Sequence, residues 1–158
     1  MTSKTVKPYG NEESSKKQEV ATMFNNISAK YDFLNHFLSL GVDYSWRTKV
    51  RKNINSFGAK HILDVATGTA DLAIEMTKIS GSQIVGVDIS QGMLDFGQIK
   101  LNQKKLTHRI RLTQADSEKL PFQEGDFDAV TVSFGVRNFE NLLAGLAEMH
   151  RVLKPGGP

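Results

Sequence analysis

The sequence predicts an α/β fold in which helices flank a parallel β-sheet. From His61 onward, short apolar runs alternate with segments of helical periodicity. Such alternation is typical of parallel strands joined by right-handed crossover helices. Two of the apolar runs end in an acid, Asp64 and Asp88, and a loop of small residues follows the first. Strand, tight loop, helix and strand make one βαβ unit, which is expected to hold a ligand at its mouth.

The N-terminal part of the chain predicts helices and no strand. Residues 1–10 are polar and predict a disordered tail, whereas residues 11–57 predict a helical cap. Apolar side chains recur at helical spacing over 12–29 and over 33–40, and Gly41 would end the second of these helices. Asp43 would cap a third helix over 44–55.

Residues 58–158 predict the α/β domain. Its strands are expected at 61–65, 83–88, 110–114 and 128–133, and its helices at 70–79, 90–104 and 140–153. The fourth strand has apolar or small residues on both faces, which suits the centre of a parallel sheet. A Pro-Gly-Gly-Pro turn ends the chain soon afterwards. We therefore expect either a truncated piece of a longer domain that lacks its C-terminal strands, or a partner that covers this sheet edge.

Composition excludes several kinds of protein. The chain has 158 residues, of which 39% are apolar and 23% charged, and it has no cysteine. It is thus an ordinary globular domain without disulfides, zinc–thiolate sites or cysteine nucleophiles. No apolar run reaches the roughly 18 residues of a membrane span, and the polar N-terminus is no secretory signal, so a cytoplasmic location is expected. The four histidines show no metal-ligand spacing, and no metal site is predicted.

Charge is unevenly distributed along the chain. Residues 1–60 hold ten Lys/Arg and five Asp/Glu, whereas residues 61–158 hold ten and twelve. A solvated helix surface, a nucleic-acid site or contact with anionic lipid would each explain the basic N-terminal segment. We predict no nucleic-acid partner, and leave open peripheral contact with the inner membrane and formation of a homo-oligomer.

The loop after the first strand, residues 64–71, excludes two common nucleotide motifs. Gly68 is its only glycine, so the dinucleotide fingerprint is absent, and no Walker lysine follows. Asp71 would repel a pyrophosphate at the helix start but would tolerate a cationic ligand. Gly68 and Ala66 would let the backbone approach that ligand, and Asp88 would bind both ribose hydroxyls. A purely structural βα turn is the alternative.

The residues of this loop, D-x-[G/A]-x-G-x-[G/A], resemble motif I of the S-adenosylmethionine-dependent methyltransferases, whose cofactor carries a sulfonium and no phosphate. Two later segments extend the likeness: Gln114–Ser117 after the third strand, and Arg151–Gly157, which resembles an "RxLKPGG" motif. The resemblance implies a Rossmann-like class I methyltransferase fold with S-adenosyl-L-methionine as cofactor.

Two further segments are similar to the ubiquinone/menaquinone biosynthesis C-methyltransferases. Tyr31–Ser39, with Trp46 downstream, resembles their N-terminal signature, and Phe134–Asn138 matches their "FG-x-RN" motif. The likeness covers about 21–157. It departs at Leu34, where Met is usual, and at Asp43, where His is usual, and both positions bear on the substrate side.

The resemblance assigns cofactor contacts. Those residues are Ala66, Gly68, Thr69, Asp88, Asp116, Ser117 and Ser133. The loop residues would hold the methionine end, Asp88 the ribose, and Asp116 with Ser117 the adenine, whereas Ser133 would touch the cofactor from the fourth strand. The alternatives are a helix cap for Thr69, a cap of the next helix for Asp88, although Ser90 already supplies that cap, and a solvated turn for Asp116 and Ser117.

The resemblance also assigns catalytic roles. Arg137 would stabilise the phenolate oxygen of a hydroquinone and Asn138 would orient it. Tyr31 and Asp32 would lie over the active site, with Asp32 as proton acceptor. For Arg137, a salt bridge at the sheet tip is the alternative.

The implied reaction is C-methylation of demethylmenaquinol to menaquinol, and also of a ubiquinol precursor, so the partner is a prenylated quinol. Two alternatives stay open: a methyltransferase for a sterol, phospholipid or phenol, and an inactive S-adenosylmethionine-binding module. The apolar stripe of the first helices would be either core packing or a lid over the prenyl chain. We expect the chain alone to be inactive, because the substrate pocket of this family needs later strands.

Overall fold

The computed structural model describes the backbone of residues 7–10, 14–39 and 42–158, and the side chains of these residues except 29–39. In chain order the elements are α1 (Lys16–Ser39), α2 (Val42–Ser56), β1 (His61–Val65), α3 (Asp71–Met76), β2 (Gln83–Asp88), α4 (Gln91–Lys104), β3 (Ile110–Gln114), β4 (Ala129–Val132), a 3₁₀ helix (Gly135–Asn138) and α5 (Leu142–Val152).

The predicted parallel sheet is confirmed. Its four strands lie in the order β3-β2-β1-β4, and every neighbouring pair is parallel. The chain moves from β1 outward to β3 and then returns to the other side of β1 as β4. Strand order therefore reverses between β1 and β4, and open α/β sheets bind ligands in the crevice at such a reversal.

Apolar side chains cover both faces of the sheet. Ile62 and Ile84 face a layer built from α2, α3 and α4. Their neighbours in sequence, Leu63 and Val85, point to the opposite face, where they pack with Val152 of α5. This alternation follows from the two-residue period of a strand, and burial of both faces is what a parallel sheet requires.

One acid, Asp64 of β1, lies inside this core and is only 1% exposed. One of its oxygens accepts a hydrogen bond of 2.6 Å from the Thr67 hydroxyl, and the other accepts one of 2.9 Å from Thr131 on β4. Burial raises the pKa of Asp64 to about 6, although the two threonine hydrogen bonds oppose the shift. Asp64 thus ties the end of β1 to the loop that follows it and to β4.

The helical part of the chain corrects two predictions. The predicted break between 29 and 33 is wrong, because α1 is continuous from Lys16 to Ser39; neither proline nor glycine interrupts the backbone hydrogen bonds there. Asp43 does not cap a helix that begins at 44, since α2 begins at Val42. Instead Asp43 is buried in the first turn of α2 and pairs with Arg47. The predicted cap at Gly41 lies outside the described residues.

Element boundaries elsewhere agree closely with expectation. Three strands match, whereas β4 is shorter than predicted by a residue at each end and α3 ends three residues early. The 3₁₀ helix was not predicted, since a single short turn has no periodicity to read. In the segment assigned as a disordered tail, the amides of Tyr9 and Gly10 donate to the Glu19 carboxylate.

The outer edge of β4 is partly occupied by the segment after α5. Leu153 forms a parallel bridge with Phe127, just before β4. Further along, the Val130 amide donates to the Pro158 carbonyl at 3.1 Å. Within the described part of the chain, none of the helices is long and apolar enough to cross a bilayer.

The buried Asp64 predicts a pH-dependent stability. Its pKa rises from 3.8 to about 6 on folding, so the folded chain holds this proton more tightly than the unfolded chain. The contribution of Asp64 to the free energy of unfolding should be largest below pH ~4 and fall by about 3 kcal/mol as pH rises through ~6. Asp64→Asn should remove most of that fall in urea titrations.

The exposed Asp95→Asn on α4 is the matched control and should follow the unsubstituted chain at every pH. Equal pH dependence for Asp64→Asn and the unsubstituted chain would contradict the assignment of a protonation change to Asp64.

Candidate functional site

A cleft of about 750 Å³ opens at the carboxyl ends of the strands. Eight of the residues assigned roles by the sequence line it together: Ala66, Gly68, Asp88, Asp116, Ser117, Ser133, Arg137 and Asn138. These residues lie at the carboxyl ends of the four strands or in the segments that follow them. The topology therefore builds a single cavity from segments distant in sequence, at the position where parallel sheets bind ligands.

The loop after β1 has an unusual backbone. Ala66, Gly68 and Ala70 all have positive φ, at 53°, 59° and 68°. Alanine in this conformation costs of order 1 kcal/mol or more, and such strain is concentrated at functional sites. These positive φ angles, at every second residue, turn the chain, and Ala66 and Gly68 border the cleft.

Asp88 at the end of β2 holds that loop in place. One carboxylate oxygen accepts a hydrogen bond of 2.8 Å from the Gly68 amide, and the other accepts one of 2.9 Å from the Ser90 amide. The residue is 8% exposed, and this burial raises the pKa of Asp88, while the amide hydrogen bonds act in the opposite direction. Asp88 is not the side-chain cap of α4; the Ser90 hydroxyl accepts from the Met93 amide instead.

Thr69 is the one predicted cofactor residue that does not line the cleft. Its side chain is buried, and its hydroxyl accepts a hydrogen bond of 3.1 Å from the Lys100 ammonium. It does not cap α3 either, because the N-cap residue is Ala70 and no side chain bonds there. A contact of Thr69 with the cofactor stays a prediction.

Asp116, the predicted adenine contact, is bound to a cation from α1. The Lys17 ammonium lies 2.7 Å from Asp116 and 2.8 Å from Glu118. Burial acts to lower the pKa of Lys17, but the hydrogen bonds that its ammonium donates to both acids outweigh burial, and the pKa is raised. The remaining Asp116 oxygen accepts from the Glu118 amide at 2.9 Å.

Helix α1 forms one wall of the cleft through Lys17, Val20 and Phe24. Sequence reasoning placed Val20 and Phe24 in an apolar stripe but did not identify Lys17. The available sequence signal was spacing: Lys17 lies three residues before Val20 and seven before Phe24, and such positions share one helix face. Further along the same helix, the side-chain oxygen of Asn25 accepts hydrogen bonds from the Ser90 hydroxyl at 2.7 Å and the Gly92 amide at 2.9 Å. These bonds attach α1 to the start of α4.

Arg137 contacts an aromatic ring and no acid. Its guanidinium carbon lies 5.9 Å from the centre of the Phe134 ring, which packs edge-on against Trp46 at 5.4 Å. Among the residues whose side chains are described, Arg137 forms no salt bridge. The alternative of a structural ion pair at the sheet tip is therefore not what this structure contains, and the guanidinium borders the cleft available to a ligand.

The turn after β4 presses against the loop after β1. Phe134 has a φ of 46°, another strained non-glycine residue, and is 50% exposed. Next to it, a Cβ placed on Gly135 would overlap the Cβ of Ala66. The close approach of these two turns sets the width of the cleft between β1 and β4.

A chain of buried and half-buried charges connects α2, α3 and α4 beside the β1 loop. Arg47 pairs with Asp43 on its own helix and reaches Asp71, the first residue of α3, at 3.1 Å. Asp71 also pairs with Lys100 of α4. These alternating charges satisfy one another, which burial demands, and they connect α2 to the helix that follows the loop.

The remaining two predicted residues, Tyr31 and Asp32, belong to α1 but their side chains lie outside the described ones. They follow Phe24, a residue of the cleft wall, by about two helical turns. Their predicted catalytic roles are untested.

The donor and acceptor groups of the cleft fit a cationic nucleoside better than a dinucleotide. The Gly68 amide, which a phosphate would need, already donates to Asp88. Four acids (Asp88, Asp116, Glu118 and Glu140) border the cavity alongside apolar side chains. Carboxylates accept hydrogen bonds from ribose hydroxyls and an adenine amino group but repel a pyrophosphate.

Comparison with known proteins agrees with this geometry. A Bacteroides fragilis protein named demethylmenaquinone methyltransferase is 46% identical over 96% of this chain and 62% of its own length. A Geobacter sp. (strain M21) protein named ubiquinone/menaquinone biosynthesis C-methyltransferase UbiE is 44% identical over 91% of this chain and 62% of its own length. The chain thus spans about three-fifths of the length of these relatives.

A solved S-adenosylmethionine-dependent methyltransferase from Aquifex aeolicus shares the fold. Its TM-score is 0.59 at 24% identity, over 66% of this chain and 57% of that one. The profile of the ubiE/COQ5 methyltransferase family matches residues 12–158. The four strand tips converge on one cleft, and the family profile matches nearly the whole sequence. The chain therefore belongs to the ubiE/COQ5 methyltransferase family.

Proposed function

We propose that the chain binds S-adenosylmethionine in the strand-tip cleft and takes part in C-methylation of a prenylated quinol of the demethylmenaquinol type, giving menaquinol. One observation carries the proposal: a single cavity collects the β1 loop, Asp88, Asp116 and the Arg137–Asn138 turn. A ubiquinol precursor is a second acceptor of the same chemistry, as the name of the Geobacter relative suggests.

The residues present suit the cofactor from end to end. Asp88 has lone pairs left on both oxygens after accepting from Gly68 and Ser90, so it can accept from two ribose hydroxyls. Asp116 and Ser117 border the adenine end, and Ala66, Gly68 and Ser133 the methionine end. When bound, the cofactor supplies an electrophilic methyl group on a sulfonium.

Arg137 and Asn138 suit the acceptor side. A ring carbon of a hydroquinone becomes nucleophilic when the neighbouring hydroxyl is ionised, so the site must favour the phenolate. A guanidinium with no carboxylate partner stabilises such an oxygen anion, and an amide orients it. Phe134 holds the Arg137 guanidinium through a cation–π contact while leaving its N–H groups for the ligand.

Proton removal from the ring carbon after methylation completes the reaction. Asp32, with Tyr31 beside it, is proposed for this step because α1 walls the cleft from Lys17 to Phe24. The role rests on their place in α1 and on the likeness of the Tyr31–Ser39 segment to the family signature.

Contact with a membrane surface is a finer part of the proposal. A prenylated quinol resides in lipid, and Val42, Tyr44 and Phe57 at the two ends of α2 are all more than half exposed. Exposed cations on the same helix, Lys49 and Lys52, would suit anionic headgroups. Self-association stays a prediction from the sequence.

The acceptor is tested by methyl transfer. The full-length gene product is incubated with deuterated-methyl S-adenosylmethionine and a short-chain demethylmenaquinol, and the product mass is read by mass spectrometry. Labelled menaquinol is the expected result. No labelled quinol, together with turnover of a sterol, phospholipid or simple phenol under the same conditions, would reject the quinol assignment.

Substitution of Asp88 should weaken cofactor binding. Loss of two hydrogen bonds to a charged acceptor, each worth about 1.5 kcal/mol, predicts a roughly 100-fold rise in Kd for S-adenosylhomocysteine in Asp88→Ala. Asp88→Asn keeps an acceptor for the Gly68 amide and should give a smaller rise. Isothermal titration calorimetry measures both, with Asp95→Asn as an exposed control. Unchanged affinity in Asp88→Asn and Asp88→Ala would remove the ribose assignment.

Arg137 should select the ionised form of a phenolic acceptor. With 4-nitro-1-naphthol as a chromogenic probe, the visible phenolate band of the bound probe should titrate about one pH unit lower in the unsubstituted chain than in Arg137→Met. Arg137→Lys should recover part of the shift. If the bound probe ionises at the same pH in all three proteins, Arg137 does not stabilise the acceptor oxygen.

A further inference from the structure

A salt bridge joins α1 to the adenine end of the cleft. Lys17 reaches Asp116 at 2.7 Å and Glu118 at 2.8 Å, and all three residues line the cavity. The two acids follow β3, whereas Lys17 lies in the first turn of α1, 99 residues earlier. The contact therefore joins two walls of the cleft that are distant in sequence.

Hydrogen bonds between neutral groups attach α1 at Asn25, whereas an ion pair attaches it at Lys17. Asn25 is held by two hydrogen bonds to Ser90 and Gly92, and a Cβ on Gly92 would lie 3.3 Å from the Asn25 Cα, so the two backbones are closely packed. At the other attachment, the side chains of Lys17 and Asp116 are 27% and 34% exposed. Salt can reach and screen this ion pair, whereas the neutral hydrogen bonds of Asn25 are not screened in this way.

The stretch of α1 between these attachments has nothing polar directed into the cleft. Val20 and Phe24 are the side chains it contributes to the lining. This apolar wall lies between the Lys17 ion pair and the Asn25 contact, and it would cover a bound nucleoside. A ligand that leaves past the adenine end would have to displace Lys17.

We infer that Lys17 is a cofactor-site residue that closes α1 over the adenine end by clasping Asp116 and Glu118, and that cofactor release requires this clasp to open. The inference rests on the proposed function, since it concerns the same cofactor. It adds that the clasp controls the rate of release, whereas Asp88 provides the ribose contacts.

Dissociation of S-adenosylhomocysteine from the immobilised chain, measured by surface plasmon resonance, tests the inference. Lys17→Met keeps the apolar stem and removes the charge. Its dissociation rate should rise roughly tenfold, the scale of a charge-assisted bridge that is partly exposed. Between ~0.05 M and ~0.5 M NaCl the rate of the unsubstituted chain should rise, and that of Lys17→Met should not, because salt screens only an ion pair that exists.

Further variants separate the clasp from a general effect on folding. Lys17→Arg should restore slow release, and Lys104→Met, which removes an exposed cation at the end of α4 outside the cleft, should match the unsubstituted chain. Glu118→Gln keeps the oxygen that accepts from the Asn141 amide. It should speed release in the unsubstituted background and add nothing to Lys17→Met.

The outcomes are distinct. Equal dissociation rates, or equal salt dependence, in Lys17→Met and the unsubstituted chain would overturn the clasp while leaving cofactor binding intact. Absence of any S-adenosylhomocysteine binding to the folded, unsubstituted chain would overturn the proposed function and the clasp with it.

Discussion

The hydrogen bond from the Gly68 amide to the Asp88 carboxylate organises the site. It joins the loop after β1 to the tip of β2, and it fixes the loop backbone through a run in which Ala66, Gly68 and Ala70 have positive φ. The same contact gives the cleft its chemistry, because the loop amide is bonded to an acid and is not offered to a phosphate. Asp64 also holds the loop, because its carboxylate accepts a hydrogen bond from the Thr67 hydroxyl. The position of the loop, and with it the cofactor assignment, therefore depends on both acids of the βαβ unit.

Charges around the cleft are distributed in a way that fits a methyl-transfer site. Asp88, Asp116 and Glu118 line the side where ribose and adenine are proposed to lie, and Lys17 pairs with two of these acids. Arg137 borders the proposed acceptor side with an aromatic ring as its only described partner. Carboxylates can accept hydrogen bonds from neutral hydroxyl and amino groups, whereas a guanidinium can stabilise an anion. Helix α1 lines the same cleft, so the N-terminal cap contributes one wall of the cavity.

Sequence alone predicted the sheet and most of the cleft for a physical reason. Strands such as β1 and β2 combine an apolar run with a terminal acid, and parallel strands bring their ends to one edge, so Asp88, Asp116 and Ser133 had to lie near one another. Sequence alone could not predict contacts between segments that are distant along the chain. Lys17 meets Asp116 only because α1 crosses the strand tips, Arg47 of α2 meets Asp71 only because α2 packs beside α3, and the Thr69 hydroxyl is bonded to Lys100, which reaches it from α4. No local pattern encodes those meetings.

We propose that the β1 loop and Asp88 select a cationic nucleoside over a dinucleotide. Calorimetric titration of the folded chain with S-adenosylmethionine and, separately, with NADH measures this selectivity. The chain should bind S-adenosylmethionine one to one at sub-millimolar concentration and give no heat of binding with NADH. Tighter binding of NADH than of S-adenosylmethionine would contradict it.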